Sequence, residues 1–225
     1  MSQYSFTGVI FDLDGTLINS VEDLADSMNI VLTGNHYPVH DLSAYKTFIG
    51  NGIRNLVNIA LPESARDEHT IEECYRQMMD VYNNNCVNKT KPYEGIIDLL
   101  SILKSREMKL GVFSNKADVF TKKIVQTLLP GYFDVIMGLN AEALKKPNPY
   151  GVLQICKKLD VSHENMVFVG DSGIDMKTAI NAGMYGVGVL WGFRTKEELL
   201  ADGAKCLLQH PLDLIRLLEK GRIIR

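Results

Sequence analysis

The chain has 225 residues, an apolar fraction of 46% and a formal net charge of −3. This length allows one large domain, or one domain with a smaller insertion, and the composition is typical of a globular protein with a substantial core. The charge does not favour nucleic-acid binding, and no apolar run approaches the roughly 20 residues that span a bilayer. The sequence shows no signal-peptide pattern, and its four cysteines form no Cys-x-x-Cys pair. We therefore expect a cytoplasmic protein with reduced thiols that binds neither membrane nor nucleic acid.

The first predicted strand is the apolar run Gly8–Phe11, and two carboxylates follow it. Asp12 and Asp14 stand two residues apart, and Gly15 and Thr16 predict a tight bend after them. Because open α/β sheets place reactive groups at the C-terminal edge of their strands, we expect both acids at that edge. There one carboxylate can attack a phosphorus atom while the other moves a proton, and together they can bind a divalent cation.

The segment 20–90 shows helical patterns and no convincing buried strand. Its helix-like stretches cover Asp23–Val31, Ile53–Ala60 and Thr70–Tyr82. The segment is acidic, with five Lys or Arg against ten Asp or Glu, and Asn83–Asn85 and Lys89–Pro92 are typical of a linker at its end. We therefore predict a helical cap domain at 20–90, inserted into a core domain formed by 1–19 and 91–225.

From about residue 92 onward, helical and strand patterns alternate. The helical patterns cover 96–103, 119–128, 149–159 and 175–182. The strand patterns are short apolar runs at Leu110–Phe113, Val135–Met137, Met166–Val169 and Val187–Leu190. This alternation predicts an α/β fold in which helices cover both faces of a Rossmann-like parallel sheet.

Three later motifs place reactive side chains after further strands. Ser114 ends the second predicted strand, and its hydroxyl, together with Asn115, can hold a phosphoryl oxygen, although a Ser there is more often a helix cap. Lys146 lies in a Lys-Pro-x-Pro sequence, and Asp171 and Asp175 lie in a Gly-Asp-Ser-Gly-Ile-Asp sequence after the fourth strand. For these groups to act with the first two acids, the first, second and fourth of the five predicted strands must be neighbours.

These four motifs, in this order, resemble those of the haloacid dehalogenase-like superfamily of phosphatases, and the resemblance covers nearly the whole chain. It implies a Mg²⁺-dependent hydrolase of phosphate monoesters with a helical cap after the first strand. By this resemblance, Asp12 is the nucleophile that forms an aspartyl-phosphate, and Asp14 is the general acid/base. Ser114 and Lys146 bind the phosphoryl group and stabilise its charge, and Gly15 and Asn115 belong to the same phosphate-binding loops.

The resemblance also implies a set of metal ligands. Mg²⁺ would be held by Asp12, by the backbone carbonyl of Asp14 and by Asp171, because this cation prefers oxygen ligands. We place Asp175 behind these ligands, where it binds a metal-bound water or orients Lys146, and direct ligation is the less favoured alternative.

One cap sequence, Gly50-Asn51-Gly52 followed by Arg54, resembles the Gly-x-Gly substrate loop of phosphoglycolate phosphatase-like members. It can hold a small anion with backbone N–H groups, although an ordinary turn between cap helices remains an alternative. Arg194, after the fifth predicted strand, can reach an anionic substrate, but we favour a surface position for it.

The predicted function is hydrolysis of a small phosphorylated metabolite, with 2-phosphoglycolate first among the substrates, by a monomer or homodimer. A β-phosphoglucomutase-like phosphomutase and a pyrophosphatase would use the same core, so both remain alternatives. A non-catalytic binding protein is the alternative from another class, but all four motif residues that such a protein would lose are present.

Overall fold

The computed structural model describes residues 6–222, in which eight strands form two sheets. The strands are β1 (Gly8–Phe11), β2 (Ile18–Asn19), β3 (Lys91–Pro92), β4 (Lys109–Ala117), β5 (Val135–Leu139), β6 (Met166–Gly170), β7 (Tyr185–Val189) and β8 (Cys206–Leu208). The larger sheet has the order β5-β4-β1-β6-β7-β8, and every neighbouring pair in it is parallel. The predicted α/β fold is therefore confirmed, and β1 lies between β4 and β6 as the sequence motifs require.

Ten α-helices are present among the described residues. They are α1 (Val21–Gly34), α2 (Leu42–Phe48), α3 (Ile53–Ala60), α4 (Glu68–Asn85), α5 (Ile96–Ser105), α6 (Asp118–Leu128), α7 (Tyr150–Leu159), α8 (Gly173–Asn181), α9 (Lys196–Ala201) and α10 (Asp213–Arg222). The helices α2, α9 and α10, the short strands β2 and β3, and the sixth strand of the main sheet, β8, were not predicted. Asn83–Asn85 belong to α4, so their interpretation as a linker was wrong.

Both faces of the main sheet are buried against helices. Successive side chains of a strand lie on opposite faces, so neighbouring residues of β1 pack into different clusters. Ile10 packs with residues of α7 and α8, including Ile155 and Ala179. Its neighbours Val9 and Phe11 belong to the larger cluster, which also contains buried residues of α5, α6 and α1–α4. This burial on two sides explains why the strands appear in the sequence as continuous apolar runs.

Helices α1–α4 pack against one another, with α4 in contact with both α1 and α3, and α2 in contact with both α1 and α3. The chain reaches them through β2 and leaves them through β3, which pair antiparallel. Asp23, buried on α1, accepts hydrogen bonds from the backbone N–H groups of Lys89 and Thr90 and from the Thr90 hydroxyl. The division into a cap at 20–90 and a core stays a prediction.

Within residues 6–222, no helix combines the length and the apolarity that crossing a membrane would require.

Candidate active site

Asp12, the predicted nucleophile, directly follows β1. Its backbone N–H donates a hydrogen bond to the Val169 carbonyl (2.8 Å), which extends the pairing of β1 with β6 by one residue. The Nζ atom of Lys146 lies 2.7 Å from Asp12 Oδ1 and 2.6 Å from Asp175 Oδ1. All three side chains are at most 9% exposed, so water screens these ion pairs only weakly. The structure thus brings the first and third motifs together.

Three carboxylates converge at this edge of the sheet. Oxygen atoms of Asp12, Asp171 and Asp175 lie within 4.8 Å of one another, and all three residues are buried. The Asp171 carboxylate accepts a hydrogen bond from the Phe193 N–H (2.7 Å) and packs against Gly15. Gly15 has a φ of +87°, and a Cβ atom there would collide with Asp171 Oδ2. Gly15 therefore allows the first and fourth motifs to approach closely, while its predicted phosphate contact stays a prediction.

The cluster contains three carboxylates and one lysine, so its negative charges outnumber its positive charge. Burial, with the nearby Asp175 and Asp14 carboxylates, outweighs Lys146 and raises the pKa of Asp12 to about 7. Burial and the Asp12 and Asp175 carboxylates also raise the pKa of Asp171. Burial lowers the pKa of Lys146, but Asp12 and Asp175 more than compensate, so that pKa lies above its ordinary value. Three carboxylates around one lysine are a hard-oxygen donor set that suits a divalent cation such as Mg²⁺.

Both oxygens of Asp175 already accept hydrogen bonds. Oδ1 accepts from Lys146 Nζ, and Oδ2 accepts from the backbone N–H (3.1 Å) and the hydroxyl (2.6 Å) of Ser172 at the start of α8. This arrangement favours the predicted role of orienting Lys146 over direct ligation of a metal.

Asp14 lies outside the cluster of three carboxylates and contacts a lysine that was not predicted to be functional. Its Oδ1 atom lies 3.0 Å from Lys116 Nζ and also accepts a hydrogen bond from the Ser20 hydroxyl just before α1. The same Nζ lies 4.8 Å from the centre of the Tyr82 ring on α4. Burial lowers the pKa of Lys116, but Asp14 and then Tyr82 raise it, and the net change is upward. The sequence could have indicated a position near the site for Lys116, because Lys116 directly follows Ser114 and Asn115.

Ser114 and Asn115 lie inside β4, which continues with an irregular register to Ala117 rather than ending at Phe113. The helix-cap alternative for Ser114 is therefore wrong, since α6 begins only at Asp118. Ser114 is buried, and its Oγ accepts a hydrogen bond from the Lys116 N–H (3.2 Å).

Asn115 uses both ends of its side-chain amide. Its Nδ2 donates to the Gly50 carbonyl (3.1 Å), and its Oδ1 accepts from the Lys146 N–H (2.8 Å). One side chain therefore connects the loop after α2 with the backbone of the third motif.

A cleft with an empty volume of about 400 Å³, which includes space open to solvent, separates this edge of the sheet from the helical segment. Its lining consists of Asp12, Asp14, Leu24, Ile49, Gly50, Gly52, Ile53, Leu56, Ser114, Asn115, Lys116 and Lys146. Gly50 and Gly52 thus face the motif residues, whereas Asn51 and Arg54 line a neighbouring cavity. Arg54 is paired with the carboxylates of Glu68 and Glu72.

Arg194 does not belong to the cleft lining, and its side chain is 19% exposed, so its reach to an anionic substrate stays untested. Its guanidinium donates hydrogen bonds to the backbone carbonyls of Lys46 (2.5 Å) and Ile49 (2.7 Å) at the end of α2. Nearby, Trp191 Nε1 donates to the Thr16 carbonyl (3.0 Å). The loop after β7 therefore holds both the first motif and α2.

A parallel α/β sheet that carries a buried cluster of three carboxylates and a lysine at its C-terminal edge is the arrangement of an enzyme site that suits phosphoryl-group chemistry. Comparison with known proteins identifies the family. A family model described as haloacid dehalogenase-like hydrolase matches residues 9–189. The phosphoglycolate phosphatase of Aquifex aeolicus is 35% identical over 212 residues, which cover 94% of this chain and 96% of that protein. The chain therefore belongs to the haloacid dehalogenase-like hydrolases, as a phosphoglycolate phosphatase-like member, and is a phosphatase.

Two further relatives support the family and the fold. The N-acetylmuramic acid 6-phosphate phosphatase of Pseudomonas aeruginosa is 27% identical, with 98% of each chain covered. The solved structure of a predicted phosphoglycolate phosphatase from Haemophilus somnus superposes with a TM-score of 0.85 at 26% identity, covering 96% of this chain and 99% of that one.

Proposed function

We propose that this phosphatase hydrolyses a small phosphorylated carboxylic acid, with 2-phosphoglycolate as the first candidate, through an aspartyl-phosphate on Asp12. The observation that carries the proposal is the buried pairing of Asp12 with Lys146 (2.7 Å) at the base of a cleft roofed by helical residues. A lysine at that distance keeps the nucleophile in place and supplies positive charge where a phosphoryl group would bind.

In the first step an Asp12 carboxylate oxygen attacks the phosphorus atom in line, and the bond from phosphorus to the ester oxygen breaks. Asp14 gives its proton to the departing alcohol oxygen, so the alcohol leaves neutral. Lys146 and the Ser114 hydroxyl stabilise the negative charge on the phosphoryl oxygens during this displacement.

In the second step a water molecule attacks the phosphorus atom of the aspartyl-phosphate. The Asp14 carboxylate accepts a proton from that water, and the bond from phosphorus to the Asp12 oxygen breaks. Inorganic phosphate leaves, and both aspartates return to their starting forms. Each of these two displacements has a lower activation barrier than a single direct attack of water on the ester.

Mg²⁺ fits the donor set at the edge of the sheet. Asp12, the Asp14 carbonyl and Asp171 are the proposed ligands, and Asp175 orients Lys146. When bound, Mg²⁺ supplies positive charge that offsets the charge of the phosphate group and of the crowded carboxylates.

The names of the relatives support a phosphorylated acid as the substrate class. Glycolate and N-acetylmuramic acid are both carboxylic acids, and each is named there as a phosphate ester. A small substrate would be held by backbone N–H groups of the Gly50-Asn51-Gly52 loop, of which both glycines line the cleft. The acidic helical segment would repel larger polyanions such as nucleotides.

The test is a panel of phosphate compounds assayed with Mg²⁺. It should contain 2-phosphoglycolate, β-glucose 1-phosphate, pyrophosphate and p-nitrophenyl phosphate, with released phosphate as the measurement. We expect the highest kcat/KM for 2-phosphoglycolate. Isomerisation of β-glucose 1-phosphate, or preferred cleavage of pyrophosphate, would replace the proposed activity by the corresponding alternative.

A further inference from the structure

The structure contains a second buried lysine in the cleft, Lys116, that the proposed chemical steps do not use. Its side chain is 3% exposed, and its Nζ lies between Asp14 of the first motif and the ring of Tyr82 on α4. Burying an ammonium group is costly unless it has anionic or aromatic partners. A cation kept at this position therefore calls for a role.

The two lysines of the cleft differ in how far their charge is already compensated. Lys146 contacts two carboxylates, those of Asp12 and Asp175. Lys116 contacts one, that of Asp14, which also accepts a hydrogen bond from Ser20. An ammonium group has three N–H donors, and one carboxylate with one ring face leaves Lys116 able to receive another anion.

Other cations near the cleft are engaged elsewhere. Among the described residues that line the cleft, Lys116 and Lys146 are the only ones with a positive charge. Arg54 lines a different cavity and is paired with two glutamates, and Arg194 is bonded to backbone carbonyls at the end of α2. A substrate with a second negative group beside its phosphate therefore has Lys116 as its available cation, because Lys146 serves the phosphate.

We propose that Lys116 is a specificity-determining residue that binds the carboxylate of the substrate, while the phosphate ester lies against Asp12 and Lys146. This inference rests on the proposed function and adds the group that selects a phosphorylated acid over a phosphorylated alcohol. In the substrate-free protein, Asp14 takes the place of that carboxylate as the anionic partner of Lys116. Arrival of the substrate carboxylate draws Lys116 away from Asp14, so that the Asp14 carboxylate can take up from solvent the proton that it then gives to the ester oxygen.

The test compares two esters that differ in the carboxylate alone. 2-Phosphoglycolate carries it, and 2-hydroxyethyl phosphate has a neutral hydroxymethyl group in its place. Lys116→Gln keeps an N–H donor for Asp14 but removes the charge, Lys116→Arg keeps the charge, and Arg54→Met serves as the control. Far-ultraviolet circular dichroism checks that each variant is folded, and kcat and KM are measured for both esters.

We expect wild type to prefer 2-phosphoglycolate, and we expect Lys116→Gln to lower that preference in kcat/KM by about tenfold or more, mainly through KM. Lys116→Arg should retain most of the preference, and Arg54→Met should leave it unchanged. An equal loss for both esters in Lys116→Gln would mean that Lys116 acts only through Asp14, and the proposal would be overturned. A loss in Arg54→Met in place of Lys116→Gln would also overturn it.

A measurement on wild type alone needs no variant to fold. Inhibition by 3-phosphonopropionate should be about tenfold stronger than inhibition by propylphosphonate, which has a methyl group in place of the carboxylate. Equal inhibition would refute carboxylate recognition while the phosphatase activity stands. Failure of wild type to hydrolyse either ester would count against the proposed function itself.

Discussion

The core edge of the active site and the helical segment that covers it are built from different chemical groups. At the core edge the contacts join charged side chains, such as Lys146 with Asp12 at 2.7 Å. On the helical side the corresponding contacts use backbone carbonyls, such as that of Gly50, and apolar side chains such as Leu24 and Leu56. Charged groups fixed in a buried sheet edge suit chemistry that all substrates share, whereas backbone and apolar surfaces suit the selection of one small substrate.

The largest effect should come from replacing Asp12, the proposed nucleophile at the core edge. Asp12→Asn keeps the shape of the side chain but makes it a far weaker nucleophile, so we expect kcat to fall by about four orders of magnitude or more. Phosphate release under saturating ester measures this loss, and thermal unfolding checks that the fold is kept. Activity within tenfold of wild type would remove Asp12 from that role.

Removal of Mg²⁺, the proposed cofactor, should also stop turnover, because the three carboxylates of Asp12, Asp171 and Asp175 have one lysine among them to offset their charge. We expect excess chelator to abolish phosphate release and added Mg²⁺ to restore it. Ca²⁺ should bind but support little turnover, since its higher and looser coordination does not hold the in-line geometry. Full activity in the presence of chelator would contradict a metal requirement.

The junction between the two regions should depend on one buried acid. Asp23→Ala removes the acceptor for the N–H groups of Lys89 and Thr90 and for the Thr90 hydroxyl. Because those donors are left without it, we expect a loss of about 2–4 kcal/mol in the free energy of unfolding, measured by denaturant titration. Asp26→Ala is the control: Asp26 is exposed and pairs with the Lys89 ammonium, so its loss should cost about 1 kcal/mol or less. Equal effects of the two substitutions would show that the junction does not depend on Asp23.

The smallest effect should appear on the helical side, in substrate selection. Gly52 has a φ of +80°, and a Cβ atom there would lie 3.2 Å from the Asn115 carbonyl oxygen. Gly52→Val should therefore raise KM for 2-phosphoglycolate by about three- to tenfold and disturb p-nitrophenyl phosphate less. Gly131→Val is a matched control, because Gly131 has the same φ of +80° with no heavy atom within 4 Å of its added Cβ. If both variants change KM alike, backbone strain and not the loop contact is responsible.

Features that depend on local sequence were predicted well. The bounds of β1 and α3 agree with the predicted strand and helix, because apolar periodicity is a property of neighbouring residues. The position of β1 between β4 and β6 was predicted correctly, since the motif residues had to meet. Helices α2 and α9 and strands β2, β3 and β8 were missed because each has seven residues or fewer and offers little periodicity. Helix α10, with ten residues, was missed as well.

Features of the candidate site that depend on distant residues could not be predicted in the same way. Lys116 stands out only when Tyr82 of α4 and Asp14 of the first motif are seen on either side of it. Arg194 likewise obtains its role from the end of α2, about 150 residues earlier in the chain. The motif residues are readable because their chemistry restricts their type, whereas these contacts are set by tertiary packing.

The side-chain amide of Asn115 links the loop that covers the cleft to the lysine that contacts Asp12. Because one end of the amide bonds to Gly50 and the other to the backbone of Lys146, movement of the covering loop removes a restraint on the segment that carries the lysine. When the loop moves and water enters the cleft, Lys146 is also held less firmly. Exposure of the proposed aspartyl-phosphate to bulk water then coincides with weaker stabilisation of its phosphoryl group by Lys146. The Asn115 side chain therefore couples the position of the loop at Gly50 to the position of Lys146.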